Sequence, residues 1–199
     1  GIVKMEKIRT FIAIELDESI KDGLTQLQKR LQGEAPRGSV RWVRPEGIHL
    51  TLKFLGDVPA DQIGEIARTL QKSCQGFAPF SLSCGGLGCF PDLKRPRVVW
   101  VGIQEETGTL AQLQKAIEEN VSPLGYPPEK RKFSPHLTLG RVQKRVSSGD
   151  LRRLGDLVGA SEIGTLGQME VRSVHLIRSD LRPSGAVYTR LAEMELKKL

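Results

Sequence analysis

The sequence predicts an α+β fold: antiparallel sheets with helices on their outer faces, in two pseudo-symmetric lobes around a central cleft. Three observations predict it. Apolar runs of strand length alternate with stretches of helical periodicity along all 199 residues. The tetrapeptide His-Leu-Thr-Leu occurs once in each half of the chain, at His49–Leu52 and His136–Leu139. No stretch is polar or repetitive enough to act as a linker between independent units, so residues 1–199 are expected to form a single bilobal domain. Residues 1–6 are read as a loose extension, either a cloning remnant before Met5 or part of a longer start.

Each element follows from local chemistry. Arg9 to Leu16 is apolar enough for a central strand. Asp17 can cap a helix whose apolar positions Ile20, Leu24, Leu27 and Leu31 recur at helical spacing, and Gly33 to Gly38 break it. Val40 to Val43 is a short strand, and Pro45-Glu46-Gly47 leads into the first motif strand, which is expected to turn at Gly56-Asp57. A second helix is predicted over Ala60 to Ser73 on Ile63, Ile66, Ala67 and Leu70. Strands at Phe80 to Cys84 and Arg97 to Gly102 flank a Gly/Pro-rich loop, and a third helix over Thr107 to Val121 carries Leu110, Leu113 and Ile117. A basic link (Lys130, Arg131, Lys132) enters the second motif strand, which starts after Pro135 and runs to Val142. A helix near Asp150 to Val158 and two closing strands, Met169 to Ile177 and Ala186 to Met194, complete the chain.

On a strand, side chains alternate faces, so each motif presents its histidine and threonine on one face and buries its leucines on the other. A single His-x-Thr is ordinarily structural, but packing gives no reason to repeat both polar residues. His175 has no such partner and reads as structural or incidental. Two imidazoles in one cleft can divide acid–base work, one accepting a proton while the other donates one. The hydroxyls of Thr51 and Thr138 can donate to the non-bridging oxygens of an anion. A phosphodiester fits this set, because a proton must leave the attacking water and another must reach the departing oxygen. The pattern leaves open which histidine plays which role. Lys53 is expected on the face of His49 and Thr51, either lining the cleft or as a solvated strand-end lysine. Phe54, Phe90 and Trp100 could each stack on a base near the cleft, but the core is the expected place for all three.

Composition narrows the chemistry. Hydrophobic residues make up 39% and charged residues 27%, the values of an ordinary globular protein. A net charge of +7 and a pI near 9.5 favour an anionic partner, of which nucleic acid is the commonest. Cys74, Cys84 and Cys89 have no recognised ligand spacing and read as reduced thiols. No signal peptide or membrane span is apparent, so a soluble, cytoplasmic protein is expected. No Walker-type loop, dinucleotide glycine motif or metal-ligand cluster is present, which weighs against kinases and adenylating ligases. The expectation is that neither a metal nor a cofactor is required, and no obligate protein partner is evident.

The two His-x-Thr-x motifs resemble those of the 2H phosphoesterase superfamily, and within it the RNA 2′,3′-cyclic phosphodiesterases, also called 2′–5′ RNA ligases. The similarity covers Lys7 to Leu191, through Arg9–Ile14, Trp42–Glu46, His49–Gly56, Pro96–Trp100, Phe133–Arg141 and Ser179–Tyr188. The resemblance implies a bilobal fold and metal-free hydrolysis of RNA 2′,3′-cyclic phosphate ends, tRNA fragments among them, to 2′-phosphates. It implies reversibility as 2′–5′ ligation, His49 as proton donor, His136 as proton acceptor, and Thr51, Thr138 and Arg141 as phosphate-binding residues. On a regular strand Arg141 falls opposite His136 unless a bulge at Gly140 re-aims it. Gly47 departs from the polar residue expected before the first motif, which concerns loop conformation and not chemistry. Two alternatives remain: a phosphodiesterase for small cyclic nucleotides, and a basic RNA-binding module without catalysis.

Overall fold

The computed structural model describes residues 5–198, so residues 1–4 of the expected loose extension lie outside the described residues. Within it, Glu6 is already tied down, its carbonyl accepting from the Ala60 amide at 2.8 Å. The strands are β1 (Lys7–Ile14), β2 (Val40–Trp42), β3 (Leu50–Pro59), β4 (Phe80–Phe90), β5 (Val98–Gln104), β6 (His136–Val142), β7 (Thr165–Val171), β8 (Ser173–Arg182) and β9 (Gly185–Glu195). The helices are α1 (Glu18–Glu34), α2 (Ile63–Cys74), α3 (Thr109–Val121) and α4 (Ser148–Ala160). The architecture is mixed α+β, with two antiparallel sheets ordered β3-β1-β8-β9 and β2-β6-β5-β4-β7.

Sequence halves and sheets do not coincide. The first motif strand, β3, is an edge of the four-stranded sheet, and the second, β6, lies inside the five-stranded one. Helix α1 follows β1 yet packs on β7 of the other sheet, while α3 follows β5 and packs on β3 and α2. Ile20, Leu24, Leu27 and Leu31 are buried as their spacing predicts. One hydrophobic core takes residues from both sheets and all four helices. Leu50, Leu52, Leu137 and Leu139, the four motif leucines, are all in it; each contributes about 1.5–3 kcal/mol by leaving water. A small separate cluster of Phe11, Ala13 and Ile177 lies against Tyr188.

Three element boundaries differ from expectation. The strand expected over Met169 to Ile177 is two strands: β7 pairs with β4 in one sheet, β8 pairs with β1 in the other, and Arg172 sits between them. Strand β4 continues past Cys84 to Phe90 through glycines that read as a loop. These glycines serve close approach: a Cβ on Gly88 would stand 2.3 Å from the Trp100 indole. Strand β3 does not turn at Gly56 but runs on to Pro59, Gly56 absorbing a positive φ of 77° within it.

Candidate active site

Both motif strands carry a β-bulge at the same place. In β3, Ala13 pairs with Thr51 and Ile12 with Lys53, leaving Leu52 as the extra residue. In β6, Trp100 pairs with Thr138 and Val99 with Gly140, leaving Leu139 extra. Each bulge therefore falls on the second leucine of its motif and inverts the alternation beyond it. The residue four past each histidine turns inward and the residue five past turns to the cleft.

The consequence for Lys53 corrects its sequence-based placement. It does not share the face of His49 and Thr51; it is buried, its Nζ donating to Glu118 Oε2 at 2.9 Å and to the Pro127 carbonyl at 2.7 Å. Phe54 takes the cleft position instead and is 44% exposed, with the Arg9 guanidinium carbon 4.6 Å above its ring. In β6 the same shift brings Arg141 to the face of Thr138, meeting the condition under which the strand could present it. Gly140 is required there, because a Cβ would stand 2.5 Å from Val40 Cγ1. Phe90 and Trp100 are also not core residues: both line a cavity of 390 Å³ with His136.

The two histidines are held alike. His49 Nδ1 lies 2.9 Å from the Gly47 carbonyl and His136 Nδ1 lies 2.8 Å from the Ser134 carbonyl. A carbonyl only accepts, so each Nδ1 carries the proton and each Nε2 is left free to exchange one. Aromatic edges fix the ring planes: Phe11 and Tyr188 stand 5.4 and 4.9 Å from His49, and Phe90 stands 4.9 Å from His136. His49, Thr51, Thr138 and Arg141 meet in one cavity of 210 Å³, walled by both sheets and joined by Arg9 and Tyr188. His136, two residues before Thr138 on the same strand, faces the larger cavity with Phe90 and Trp100.

The charges around His49 are asymmetric. Burial lowers its pKa, and Lys21 and His175 push in the same direction; the Gly47 carbonyl and the Glu15 carboxylate oppose them without reversing the shift. His175 is not remote: it pairs with Ala13, which pairs with Thr51, so it lies in the threonine's row of the sheet. It is buried, with Nε2 3.6 Å from Glu193 Oε1, and burial lowers its pKa as well. Burial, the largest single influence, raises Glu15, but the hydrogen bond from Arg190 and the charges of His175, Arg190 and His49 together outweigh it and the net shift is downward. Arg190 bridges Glu15 and Glu193.

Sequence reasoning missed Arg9, Tyr188 and Gln28. Arg9 and Tyr188 are in strands far from the motifs, and only sheet pairing brings them in. Buried Gln28 of α1 donates to the carbonyls of Val43 at 2.6 Å and Leu139 at 3.0 Å, satisfying the bulged residue and tying β6 to the chain entering the first motif. A polar residue in line with the apolar positions of the helix's buried face was the available signal. Among the described residues, no group of three or more His, Cys, Asp or Glu is placed to hold a metal ion. Cys74, Cys84 and Cys89 are free and buried, their thiols pushed up by burial to about 12, 11 and 11. No described helix is long and apolar enough to cross a membrane.

A model of the LigT-like phosphoesterase family matches residues 14–100 and again 101–188. Each motif histidine falls at the same offset within its match. The chain belongs to this family. An RNA 2′,3′-cyclic phosphodiesterase of Methanothermobacter thermautotrophicus is 36% identical over 193 residues, 97% of this chain and 100% of that one. Another, from Archaeoglobus fulgidus, is 36% identical over 94% of this chain and 100% of its own length. The crystal structure of E. coli LigT complexed with 3′-AMP superposes with a TM-score of 0.76 at 25% identity, covering 96% of this chain and 99% of that one. This LigT-like phosphoesterase is thus an enzyme, and its resemblance to 2H phosphoesterases from sequence is upheld.

Proposed function

We propose that the enzyme hydrolyses RNA 2′,3′-cyclic phosphate ends to 2′-phosphates, with the two histidines as acid and base. The observation that carries this reading is their matched fixation: both imidazoles are held through Nδ1 on a carbonyl two residues back, which leaves each Nε2 free to exchange a proton. His136 Nε2 takes a proton from water as the water oxygen bonds to phosphorus. The bond from phosphorus to the 3′-oxygen breaks, and His49 Nε2 delivers a proton to that oxygen. Thr51, Thr138 and Arg141 hold the non-bridging oxygens, where negative charge gathers in the pentavalent state.

The downward shift of His49 suits a donor once substrate binds. A cyclic phosphate anion beside it favours the imidazolium, and an imidazolium of low pKa gives up its proton more readily. Each imidazole is asked for about 10²–10⁴-fold. Because the histidines supply both proton transfers, the scheme calls for no further catalytic group. The same path with a ribose 5′-hydroxyl attacking in place of water, and the 3′-oxygen leaving as before, is 2′–5′ joining of RNA ends. The relatives' names, the basic charge and Arg141 at the cavity favour an RNA end as substrate.

The test is product analysis with an oligoribonucleotide ending in a 2′,3′-cyclic phosphate, in the presence of a chelator. A 2′-phosphate product supports the reading. A 3′-phosphate overturns the donor assignment, and binding without turnover favours the non-catalytic module.

A further inference from the structure

A cavity of 510 Å³ lies between β3 and the loop that follows α3, lined by Phe54, Tyr126, Lys130 and Arg131 among others. Phe54 also lines the cavity that holds His49 and Thr51, so it stands at the junction of the two. Its ring is exposed and carries the Arg9 guanidinium on one side. Among the described residues, neither Lys130 nor Arg131 forms an ion pair, and both are exposed. Glu129 is the one acidic group in the lining, because the other charged members are Lys53, Lys130 and Arg131.

The loop is fixed to the motif strand by a buried bond. Lys53 Nζ joins Glu118 of α3 to the Pro127 carbonyl, and Tyr126 donates its hydroxyl to Gln62 Oε1 at 3.0 Å. The Leu52 bulge that sends Lys53 inward to make this tether is the one that sends Phe54 outward. The bulge and the tether thereby bring an aromatic face and the loop that bears two free cations to one cavity. A base stacks on an aromatic ring regardless of its identity, and cations track a phosphate backbone.

The other cavities are less suited to a nucleic-acid strand. The one beside Phe90 and Trp100 has no cationic side chain besides His136. The one near the β8–β9 turn is lined by Arg41, Arg44 and Arg141 with Glu46; Arg44 is engaged with the Ser184 carbonyl at 3.2 Å and Arg141 is assigned to the reacting phosphate, which leaves Arg41 as its one cation without another role.

We infer that the cavity between Phe54 and the Lys130–Arg131 loop binds the RNA chain on the 5′ side of the cyclic-phosphate nucleotide, with a base stacked on Phe54 and a backbone phosphate held by Lys130 and Arg131. This rests on the reading of the cleft as a hydrolase of RNA ends and adds the path by which the strand leaves it. The site is sequence-tolerant and distinguishes an RNA terminus from a free cyclic nucleotide.

The test compares two substrates, cytidine 2′,3′-cyclic monophosphate and a six-nucleotide RNA with a 2′,3′-cyclic end, on wild type and on K130A/R131A. The variant is expected to raise KM for the RNA about tenfold at low salt and to reduce the dependence of log KM on log salt by about 0.7 per lost phosphate contact. Its kcat/KM on the mononucleotide is expected to be unchanged. Phe54→Leu is expected to lower the ratio of RNA to mononucleotide kcat/KM by about tenfold. Equal effects on both substrates, or none on the RNA, overturn the inference. If wild type turns over neither substrate, the proposed function fails separately; anisotropy with a fluorescent six-nucleotide RNA ending in a phosphate then decides the groove. Equal affinity of wild type and K130A/R131A in that assay overturns it.

Discussion

Phe54 and Arg141 occupy equivalent positions, each five residues past a motif histidine and each turned into the cleft by a bulge at the second leucine of its motif. The repeated backbone device is put to different uses: one copy supplies an aromatic face, the other a guanidinium. A planar, always-charged group next to Thr138 is suited to paired contacts with phosphate oxygens. Arg141→Ala is expected to lower kcat/KM by about 10²-fold on an RNA cyclic phosphate, and Arg141→Lys to recover only part of it. Steady-state kinetics on both variants checks this; full activity in Arg141→Ala removes the residue from the site.

The bulge itself can be tested through Gly140. Alanine there would collide with Val40 and crowd the Arg41 carbonyl and the Trp42 ring. Gly140→Ala is expected to cost about 1–3 kcal/mol in chemical denaturation. It should also lower kcat/KM by displacing Arg141, and unchanged stability would mean that the strand has room to spare.

Lys53 and Glu118 form a buried pair whose side chains are 2% and 9% exposed. Lys53→Met leaves the Glu118 carboxylate without its cation and the Pro127 carbonyl without its donor. The expected loss is about 3–5 kcal/mol, with Lys53→Met/Glu118→Gln less destabilised than the single variant. Urea denaturation of both proteins tests it; equal losses would show that the two residues are not coupled.

Folding stability should fall in mild acid. His49 and His175 have pKa values lowered in the folded state, so the unfolded chain binds protons that the folded one resists. Their stability contribution is complete above the unfolded value of about 6.5 and declines as pH falls from there toward the folded values. Glu15, also lowered, adds a loss in the same direction at more acidic pH. His175→Gln is expected to flatten the slope of unfolding free energy between pH 7 and pH 5, and an unaltered slope would contradict the assignment to His175.

Much of this was legible in the sequence because periodicity and repetition report local structure. The α1 face at Ile20, Leu24, Leu27 and Leu31, and the outward His and Thr of each motif, follow from spacing alone. The bulges do not, since Leu52 and Leu139 look like ordinary inward leucines and only cross-strand register shows them to be extra. Lys53 is misplaced by spacing for that reason, and Arg141 reaches the face of Thr138 through a bulge at Leu139, one residue before the Gly140 at which the sequence suggests one. The division of Met169–Ile177 between two sheets was hidden for a related reason: Arg172 is an unremarkable residue, and the change of partner depends on β4 and β1, distant in sequence. Tyr188 and Arg9 reach His49 and Phe54 by the same long-range pairing.

The central claim is that His49 and His136 divide the two proton transfers. The most direct measurement is the pH–rate profile of kcat/KM for hydrolysis of an RNA 2′,3′-cyclic phosphate by wild type, His49→Ala and His136→Ala, each confirmed folded by circular dichroism. The account predicts a bell-shaped profile for wild type. It further predicts that His136→Ala loses the acidic limb, which reports deprotonation of the base, that His49→Ala loses the basic limb, which reports protonation of the acid, and that each is slower by about 10²–10⁴-fold. Near wild-type turnover by either folded variant would contradict it.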